Sequence, residues 1–316
     1  MDRQKEKLDQ IVLDNHLIDS SIIKKVITKL DPDSHKGQNG KILIVGGSPL
    51  FHGAGILSAQ ASFETLVALA SRTNDMVYFC STKENLEYLK QRQETFIGIL
   101  REQLDDYLPV VDVVLVGPGL MREIDPELKE TRIEPDETLK LTKKVLASGK
   151  KTVLDAGSLQ VVKEEDLAVS NRVIITPHRL EMSKLFGIEV EKLIISHQSE
   201  FSEIERLGLL VQEMAKKTGV TILLKGPVDI IADSSNWAYS KGGNVGMTKG
   251  GSGDVLAGIV AAFYTKSDSA FLVASLGSFL NKKIGDSLNQ KSSWIYNSSD
   301  LVKEINQVLT SVIKSN

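Results

Sequence analysis

The chain has 316 residues, of which 41% are hydrophobic, and this is ample for the core of one large α/β domain or of two small ones. The formal net charge is −3, and the lysines and arginines are scattered, which argues against a nucleic-acid or an anionic-membrane partner. The N-terminus is charged and has no signal-like or membrane-length apolar run, so we expect a cytoplasmic protein that binds a small ligand.

Residues 1–34 are predicted to form a helical lead, since they are polar and charged apart from one short amphipathic pattern over residues 21–30. We expect this lead to act as a lid or clasp on the main domain, residues 35–316. The segment 35–40 contains Lys36 and two glycines, which suit a phosphate site or a tight turn equally. A tight turn before the first strand is the simpler interpretation.

From residue 41 to residue 265, short apolar runs alternate with longer helical patterns. The runs predicted to be strands cover residues 41–45, 75–81, 111–116, 151–154, 172–176 and 220–224. Helices are predicted over residues 53–71, 136–148, 253–265, 269–288 and 298–313, and an antiparallel edge hairpin over residues 229–232 and 237–239. The alternation predicts an α/β fold with a mostly parallel central sheet and helices on both faces.

Cys80 is the only cysteine in the chain, which excludes an internal disulfide framework and a cysteine-cluster metal site. Because it lies within the strand predicted over residues 75–81, we interpret it as a core residue rather than a nucleophile. The chemistry of this protein is therefore expected from other side chains.

Glycines and polar residues collect at the carboxyl ends of the predicted strands, where open parallel sheets bind ligands. The segments at these ends are Gly46-Gly47-Ser48, Gly117-Pro118-Gly119, Asp155-Ala156-Gly157, Pro177-His178 and Lys225-Gly226-Pro227. One such end would be an ordinary turn. Because several of them meet at the same edge of the sheet, they predict a binding site there.

A glycine-rich segment over residues 242–253 leads directly into an apolar helix. The amides of Gly251, Ser252 and Gly253 in the first turn of this helix would converge on an anion such as a phosphate. Asp254 follows, and its carboxylate would be placed to take a proton from a hydroxyl beside that phosphate. The segment does not match a P-loop, and a turn that merely caps a core helix is the alternative.

Together these motifs resemble those of the ADP-dependent NAD(P)H-hydrate dehydratases, which have a ribokinase-like α/β fold, and the loop form looks most like archaeal members. The resemblance spans roughly residues 34–288. It is carried by His35-Lys36-Gly37, Gly46-Gly47-Ser48, Gly53-Ala54, Gly117-Pro118-Gly119, Thr176-Pro177-His178 with Glu181, Leu224-Lys225-Gly226 and Gly246-Met247-Thr248 before Gly250-Gly251-Ser252-Gly253-Asp254. It implies a lyase that repairs the S epimer of hydrated NADH or NADPH, giving NAD(P)H, AMP and phosphate.

The resemblance also implies roles for individual residues. Those that would line the hydrated-nucleotide site are Ala54, Gly119, His178 and Asp254, of which Asp254 would be the catalytic base. Those that would hold ADP, or ATP as a possible donor, with Mg²⁺ on the phosphates, are Lys225, Gly226, Pro227, Val228, Asp229, Gly250, Gly251, Ser252 and Gly253.

The sequence departs from the family pattern at several positions. Gly55 replaces a proline that usually follows the Gly-Ala pair, and Gly157 replaces the second carboxylate of the usual Asp-Ala-Asp-Ala-Leu motif, which weakens any metal role of that loop. The segment 242–246 lacks the usual proline, and this predicts a more flexible loop.

His178 has two interpretations. A histidine after Thr-Pro at a strand-to-helix junction can cap the helix, with Glu181 reaching back from three residues further on. The substrate role is favoured because the other strand ends point to the same site.

Two other functions remain possible from the residues alone. The first is a small-molecule kinase of the same superfold that acts on a vitamin precursor or a sugar, and the second is a nucleotide-binding protein without chemistry. The resemblance further implies a homo-oligomer, a tetramer in many relatives. It also implies a separate NAD(P)H-hydrate epimerase, because the 34-residue lead is too short for the fused epimerase domain of other members.

Overall fold

The computed structural model describes residues 16–27, 40–69, 76–90, 96–121, 134–168 and 171–315. The turn predicted over residues 35–40 lies almost wholly outside these ranges. Most of the lead also lies outside them, as do the end of its predicted helix and the proposed boundary at residue 34.

A nine-stranded sheet forms the centre of the fold, with the strand order β3-β2-β1-β4-β5-β6-β7-β8-β9. Its strands are β1 (Lys41–Val45), β2 (Met76–Ser81), β3 (Ile97–Leu100), β4 (Val113–Val116), β5 (Lys151–Leu154), β6 (Val173–Ile175), β7 (Thr221–Leu224), β8 (Asp229–Ala232) and β9 (Trp237–Ser240). Neighbouring strands from β3 to β7 are parallel, whereas β8 and β9 add an antiparallel hairpin at one edge. The predicted fold class and edge hairpin are confirmed.

Helices cover both faces of the sheet. They are α1 (Ile23–Val26), α2 (His52–Leu69), α3 (Lys83–Lys90), α4 (Leu104–Tyr107), α5 (Glu134–Ala147), α6 (Gly157–Val161), α7 (Glu164–Leu167), α8 (Arg179–Phe186), α9 (Phe201–Thr218), α10 (Ser252–Tyr264), α11 (Ala270–Ser292) and α12 (Ser298–Ser315). The helices α2, α10, α11 and α12 share one apolar core with the sheet, while α5, α8 and α9 share the other.

The two cores follow from the alternation of side chains along each strand. In β1, Ile42 and Ile44 belong to the first core, whereas Leu43 and Val45 belong to the second. A strand that is buried on both faces reads as a continuous apolar run, which is why this sheet could be recognised in the sequence. Cys80 is also fully buried, and burial raises the pKa of its thiol to about 12, as expected for a core residue.

The described part of the lead lies against the hairpin edge of the sheet. Leu17 forms a parallel bridge with Tyr239, and the ring of His16 stacks on Trp237 with 3.9 Å between ring centroids. Ile22 and Val26 are buried in the first core. Residues 16–27 therefore act as a clasp on the exposed edge of β9, which would otherwise present unpaired backbone groups. Within the described ranges, no helix has the length and apolarity needed to cross a bilayer.

Candidate active site

Two cavities open at the carboxyl ends of the parallel strands and share one wall. The central cavity has a volume of about 550 Å³ and lies over the ends of β4, β5 and β6, where Gly119, Asp155 and Glu181 contribute to its lining. The edge cavity has a volume of about 540 Å³ and lies towards the hairpin and the glycine-rich loop 242–248. The residues common to both linings are His178, Lys225 and Gly253.

The residues predicted for the hydrated nucleotide all line the central cavity, although they come from four separate parts of the chain. These are Ala54 on α2, Gly119 after β4, His178 after β6 and Asp254 on α10. Gly119 has φ +72°, and an added Cβ would lie 2.3 Å from the carbonyl oxygen of Phe51. A side chain at residue 119 would therefore clash with backbone as well as narrow the cavity.

The residues predicted for ADP divide between the two cavities. Those on the edge cavity are Lys225, Gly226, Pro227, Asp229, Ser252 and Gly253. Gly250 and Gly251 instead line the central cavity, because the chain turns at Gly251 with φ +93° before α10 begins. Val228 is 2% exposed and packs in the core. Val228 lines neither cavity, so its assignment to the nucleotide site stays a prediction that neither lining supports.

Asp229 shapes the 226–229 turn through bonds within the protein. Its Oδ1 accepts a hydrogen bond from the amide of Gly226 at 2.9 Å, and its Oδ2 accepts one from the Ser278 hydroxyl at 2.7 Å. The ammonium group of Lys282 donates to the carbonyl oxygens of Gly226 and Pro227, at 3.0 and 3.2 Å. These contacts fix the turn against α11 and leave its backbone facing the edge cavity.

Lys225 places a cation in the wall between the cavities. Its Nζ lies 2.7 Å from Oδ1 of Asp155, whose side chain is 2% exposed and also accepts a hydrogen bond from Thr176 Oγ1 at 2.8 Å. Burial lowers the pKa of Lys225, but Asp155 and then Glu181 and Asp254 raise it, and the net shift is upward. The ammonium group therefore stays charged at neutral pH, as a phosphate-binding lysine requires.

His178 is the N-cap of α8, so the capping interpretation of the sequence is observed. Its Nδ1 accepts hydrogen bonds from the amides of Leu180 and Glu181, and Glu181 Oε2 accepts one from the amide of His178 at 2.9 Å. Since Nδ1 is an acceptor, the ring proton belongs on Nε2. The cap does not remove the ligand interpretation, because the ring also lines both cavities.

The variant His178→Asn separates these two roles. Asparagine caps helices well, so the melting temperature should hardly change. If the ring contacts the ligand of the central cavity, the Michaelis constant for that ligand should rise about three- to tenfold, the range for one lost hydrogen bond, and by more than any change in ADP affinity. Substrate titration and a thermal melt measure both quantities. An unchanged Michaelis constant would mean that His178 only caps α8 and does not contact the ligand.

Side chains of the protein bond to the glycine-rich loop at several positions. Asn244 donates from Nδ2 to the Gly285 carbonyl at 2.8 Å, and its Oδ1 accepts from the Tyr296 hydroxyl at 2.8 Å. The amide of Gly243 donates to Asp286 at 2.8 Å. These bonds to α11 and to the α11–α12 connection replace the constraint that the missing proline would supply.

Ser252 turns its hydroxyl away from the cavity and into the loop. The hydroxyl lies 2.7 Å from the Met247 carbonyl oxygen and 2.9 Å from that of Lys249, to one of which it donates. Its backbone amide donates to the Lys249 carbonyl oxygen at 3.3 Å, so an anion at the start of α10 would have to compete for that amide. Asp254 lies in the same first turn and faces the central cavity.

The sequence analysis missed Asn281 and Lys282, which lie side by side on α11 and line the edge cavity. Both are 5% exposed. The available signal was an amide and a cation within an otherwise apolar helical run, where such side chains need a partner.

Among the residues that the structure describes, no group of three or more histidine, cysteine, aspartate or glutamate side chains is arranged to hold a metal ion. Asp155, Glu181 and Asp254 line the central cavity, but Asp155 is paired with Lys225 and Glu181 caps α8. Gly157 stands where the family often has another carboxylate, and an added Cβ there would lie 2.4 Å from the Leu120 carbonyl oxygen. This backbone has no room for that carboxylate.

Comparison with known proteins gives matches along nearly the whole chain. A family model described as NAD(P)H-hydrate dehydratase matches residues 42–307. The ADP-dependent (S)-NAD(P)H-hydrate dehydratase of Nitrosopumilus maritimus is 31% identical over 301 residues, which cover 92% of this chain and 95% of that protein. The bifunctional NAD(P)H-hydrate repair enzyme Nnr of Methanocaldococcus jannaschii is 33% identical over 90% of this chain, and the match spans 51% of its own length.

Solved structures with the same fold are more distant in sequence. A ribokinase-like superfamily protein of Enterococcus faecalis superposes with a TM-score of 0.73 at 24% identity, over 94% of this chain and 95% of that one. The ADP/ATP-dependent NAD(P)H-hydrate dehydratase of Bacillus subtilis, co-crystallised with ATP and Mg²⁺, gives 0.72 at 18% identity, over 96% and 99%. At these identities the structures show that the fold is ribokinase-like.

Proposed function

Because this chain belongs to the NAD(P)H-hydrate dehydratase family, we propose that it repairs the S epimer of hydrated NADH and NADPH, with ADP as phosphoryl donor. The observation that carries this proposal is the pair of cavities that share Lys225 and Gly253, with Asp254 on the central side. A donor in one cavity and an acceptor hydroxyl in the other would meet at that wall. This is the geometry that phosphoryl transfer needs, since its catalysis consists mainly of positioning and charge stabilisation.

The proposal assigns the edge cavity to ADP. The amides at the start of α10 would bind its phosphates, and the Lys225 ammonium would lie beside the terminal one, with Gly226 and Pro227 lining the same cavity. ATP has one more phosphate than ADP at the end of the same polyphosphate group, so it stays an alternative donor. Two relatives are named as ADP-dependent enzymes, which supports ADP as the first donor to test.

The central cavity is assigned to the hydrated nicotinamide nucleotide. A ring hydroxyl is a poor leaving group, so the reaction first makes it into a better one. Asp254 takes the hydroxyl proton, the hydroxyl oxygen bonds to the terminal phosphorus of ADP, and the bond from that phosphorus to AMP breaks. The carbon–oxygen bond then breaks, phosphate leaves with the electron pair, and loss of a proton from the adjacent ring carbon restores the double bond.

Mg²⁺ usually binds proteins through one or two carboxylates and takes its other ligands from water and substrate phosphates, so this donor set fits the ion without a dedicated cluster. The ADP phosphates would supply most ligands, and Asp254, which lines the central cavity, would be the carboxylate that the protein adds. When bound, the ion would neutralise charge on the phosphates. Lys225 and the α10 amides would do the same from the protein side.

The competing functions predict different products. A vitamin-precursor or sugar kinase would release a phosphorylated alcohol, whereas a protein that only binds nucleotides would release nothing. The fold cannot separate these functions, because ribokinase-like sheets serve several chemistries. The test is to incubate the protein with hydrated NADH, ADP and Mg²⁺ and to follow reduced-nicotinamide absorbance together with AMP. Equal release of NADH and AMP that requires ADP is expected, and no recovery of absorbance would refute the repair function.

Gly253 offers a test of the donor site. An added Cβ would lie 3.4 Å from Lys225 Nζ, so the branched side chain of Gly253→Val would press on the ammonium group and on the phosphate beside it. We expect ADP affinity to fall about tenfold or more, a loss on the order of 1.4 kcal/mol, with little change in melting temperature.

The matched control for this variant is Gly53→Ala, because a Cβ at Gly53 meets nothing within 4 Å and the residue lines the other cavity. ADP affinity in this control should stay within about twofold of the unchanged protein. Calorimetric titration measures both variants. Unchanged ADP affinity in Gly253→Val would place the phosphates away from this wall.

A separate epimerase, a homo-oligomeric state and a cytoplasmic location belong to the same proposal. The chain spans about half the length of the bifunctional relatives, and the name of those relatives couples two activities in one protein. An epimerase would supply the S epimer that this site uses. Activity on an equal mixture of the R and S epimers should therefore stop near half conversion unless an epimerase is added.

A further inference from the structure

A buried tyrosine supports the glycine-rich loop from below. Tyr296, in the connection between α11 and α12, is 6% exposed, and its hydroxyl bonds to Asn244 Oδ1 at 2.8 Å. Burial raises the pKa of Tyr296 above its ordinary value, so the hydroxyl keeps its proton at neutral pH and is the donor in this bond. The ring also contacts the loop directly, because an added Cβ at Gly246 would lie 2.6 Å from it.

Asn244 connects this tyrosine to the backbone of the loop. Its Oδ1 also accepts a hydrogen bond from the amide of Gly246 at 3.0 Å, and its Nδ2 donates to the Gly285 carbonyl oxygen at 2.8 Å. These two bonds fix the orientation of the carboxamide, with its oxygen towards Tyr296. Asn244 is thereby the N-cap of a short 3₁₀ turn, Val245–Met247.

This 3₁₀ turn forms part of the wall of the edge cavity, where Val245, Met247 and the following Thr248 contribute to the lining. Short 3₁₀ turns have poor hydrogen-bond geometry and little stability of their own. Val245 is 68% exposed, so its side chain adds little packing. The conformation of the turn therefore depends on the contacts that Asn244 and Tyr296 make with it.

We propose that Tyr296 is a positioning residue of the donor site, which holds the 245–247 turn, through Asn244, in the conformation that accepts ADP. This assignment rests on the proposed function, which places ADP in the edge cavity. Without the hydroxyl, the turn occupies other conformations in the nucleotide-free protein. The apparent affinity for ADP then falls in proportion to the fraction of molecules that keep the competent conformation.

The first test is Tyr296→Phe, which removes only the hydroxyl and leaves Asn244 Oδ1 bonded to the Gly246 amide. The dissociation constant of ADP should rise about three- to tenfold, the range for one lost hydrogen bond. The Michaelis constant for hydrated NADH and the turnover at saturating ADP should stay within about twofold, since the central cavity has no residue of the 245–247 turn in its described lining. Calorimetric titration and steady-state kinetics measure this split, which a general loss of stability would not produce.

A second measurement follows the loop itself in the nucleotide-free protein. Hydrogen exchange over residues 242–250 should be faster in Tyr296→Phe than in the unchanged protein, and saturating ADP should remove most of the difference. The matched control is Tyr78→Phe. Tyr78 is 7% exposed, bonds through its hydroxyl to Met76 Sδ and lines neither cavity. ADP affinity and loop exchange in this control should equal those of the unchanged protein.

A rescue variant tests whether the tyrosine acts by restricting the turn. Proline suits position 245, because Asn244 before it is extended, with φ −155° and ψ 176°, and Val245 is the first residue of the turn. The amide of Val245 donates no hydrogen bond to a described residue. Adding Val245→Pro to Tyr296→Phe should tighten ADP binding about two- to fivefold. Val245→Pro alone should bind ADP within about twofold of the unchanged protein, in which Tyr296 already holds the turn.

Unchanged ADP affinity and unchanged loop exchange in Tyr296→Phe would overturn the assignment. So would equal losses of affinity for ADP and hydrated NADH together with a lower melting temperature, because they would show a general structural role. A rescue variant that gains no affinity would also overturn it. If Val245→Pro alone binds ADP poorly, the affinity and exchange of Tyr296→Phe decide. Failure of the unchanged protein to bind ADP would instead overturn the proposed function.

Discussion

Replacing Asp254 with asparagine is expected to lower turnover at least about a hundredfold, the scale of a lost general base, while ADP binding is largely kept. Asp254 lies in the first turn of α10 and faces the central cavity, beside the wall that holds Lys225. Asparagine keeps the volume of the side chain and removes the proton acceptor. Single-turnover formation of NADH from its hydrate, with ADP in excess, measures the step directly.

A matched control for this variant is Asp300→Asn, which makes the same change in the first turn of α12, away from both cavities. Its turnover should equal that of the unchanged protein, because loss of a first-turn carboxylate affects mainly local helix stability. Turnover within a few-fold of normal in Asp254→Asn would contradict the role of Asp254 as base. The base would then have to be another group in the central cavity, and Glu181 is another carboxylate in its lining.

The second large effect is expected at Lys225. The variant Lys225→Met should lose turnover at least about a hundredfold, because no other lysine or arginine among the described residues lines both cavities. It should also lose stability, by about 3–5 kcal/mol, because Asp155 would be left buried without its cation. Chemical denaturation and a turnover assay measure the two losses separately.

The double variant Lys225→Met with Asp155→Asn divides the structural role from the functional one. Asparagine removes the unpaired charge and still accepts the hydrogen bond from Thr176, so most of the stability should return. Turnover should remain low. The control is Lys144→Met, which breaks an exposed pair with Asp105 and should change stability by less than about 1 kcal/mol. A double variant that recovers turnover would contradict a catalytic use of Lys225.

The same pair predicts a pH dependence. Burial alone lowers the pKa of Lys225, and the neighbouring carboxylates of Asp155, Glu181 and Asp254 reverse that effect to give a raised pKa. A raised lysine pKa stabilises the fold below the ordinary lysine pKa, and this stabilisation is lost as the pH rises through the folded value. In Asp155→Asn one of the carboxylates that raise the pKa of Lys225 is lost, so this pKa should be lower than in the unchanged protein. Turnover, which needs the charged ammonium group, should therefore begin to fall at a lower alkaline pH.

The parts of the fold that sequence analysis found are those in which one strong local pattern decides the outcome. The buried strands are continuous apolar runs, and the helix after Gly253 is apolar along its whole length, so both could be recognised. Strand β3 was missed because it is a four-residue edge strand in which three residues are exposed, so it carries little hydrophobic signal.

The site followed the same rule. Most of the residues that it predicted for the site line the two cavities, because parallel strands end and glycines collect there. It could not divide the glycine-rich loop between two cavities, since the direction of each amide depends on the turn at Gly251. Nor did it reveal Asn281 and Lys282, because their place in the lining of the edge cavity depends on tertiary packing.

The measurement that tests the central claim most directly follows the oxygen atom of the substrate hydroxyl. Hydrated NADH made in H₂¹⁸O carries the heavy isotope on the ring hydroxyl, and a single turnover with unlabelled ADP can be analysed by mass spectrometry of the released phosphate. If the hydroxyl is phosphorylated at the wall between the cavities and then leaves as phosphate, each phosphate contains one ¹⁸O atom. Unlabelled phosphate with the ¹⁸O found in water would contradict that account.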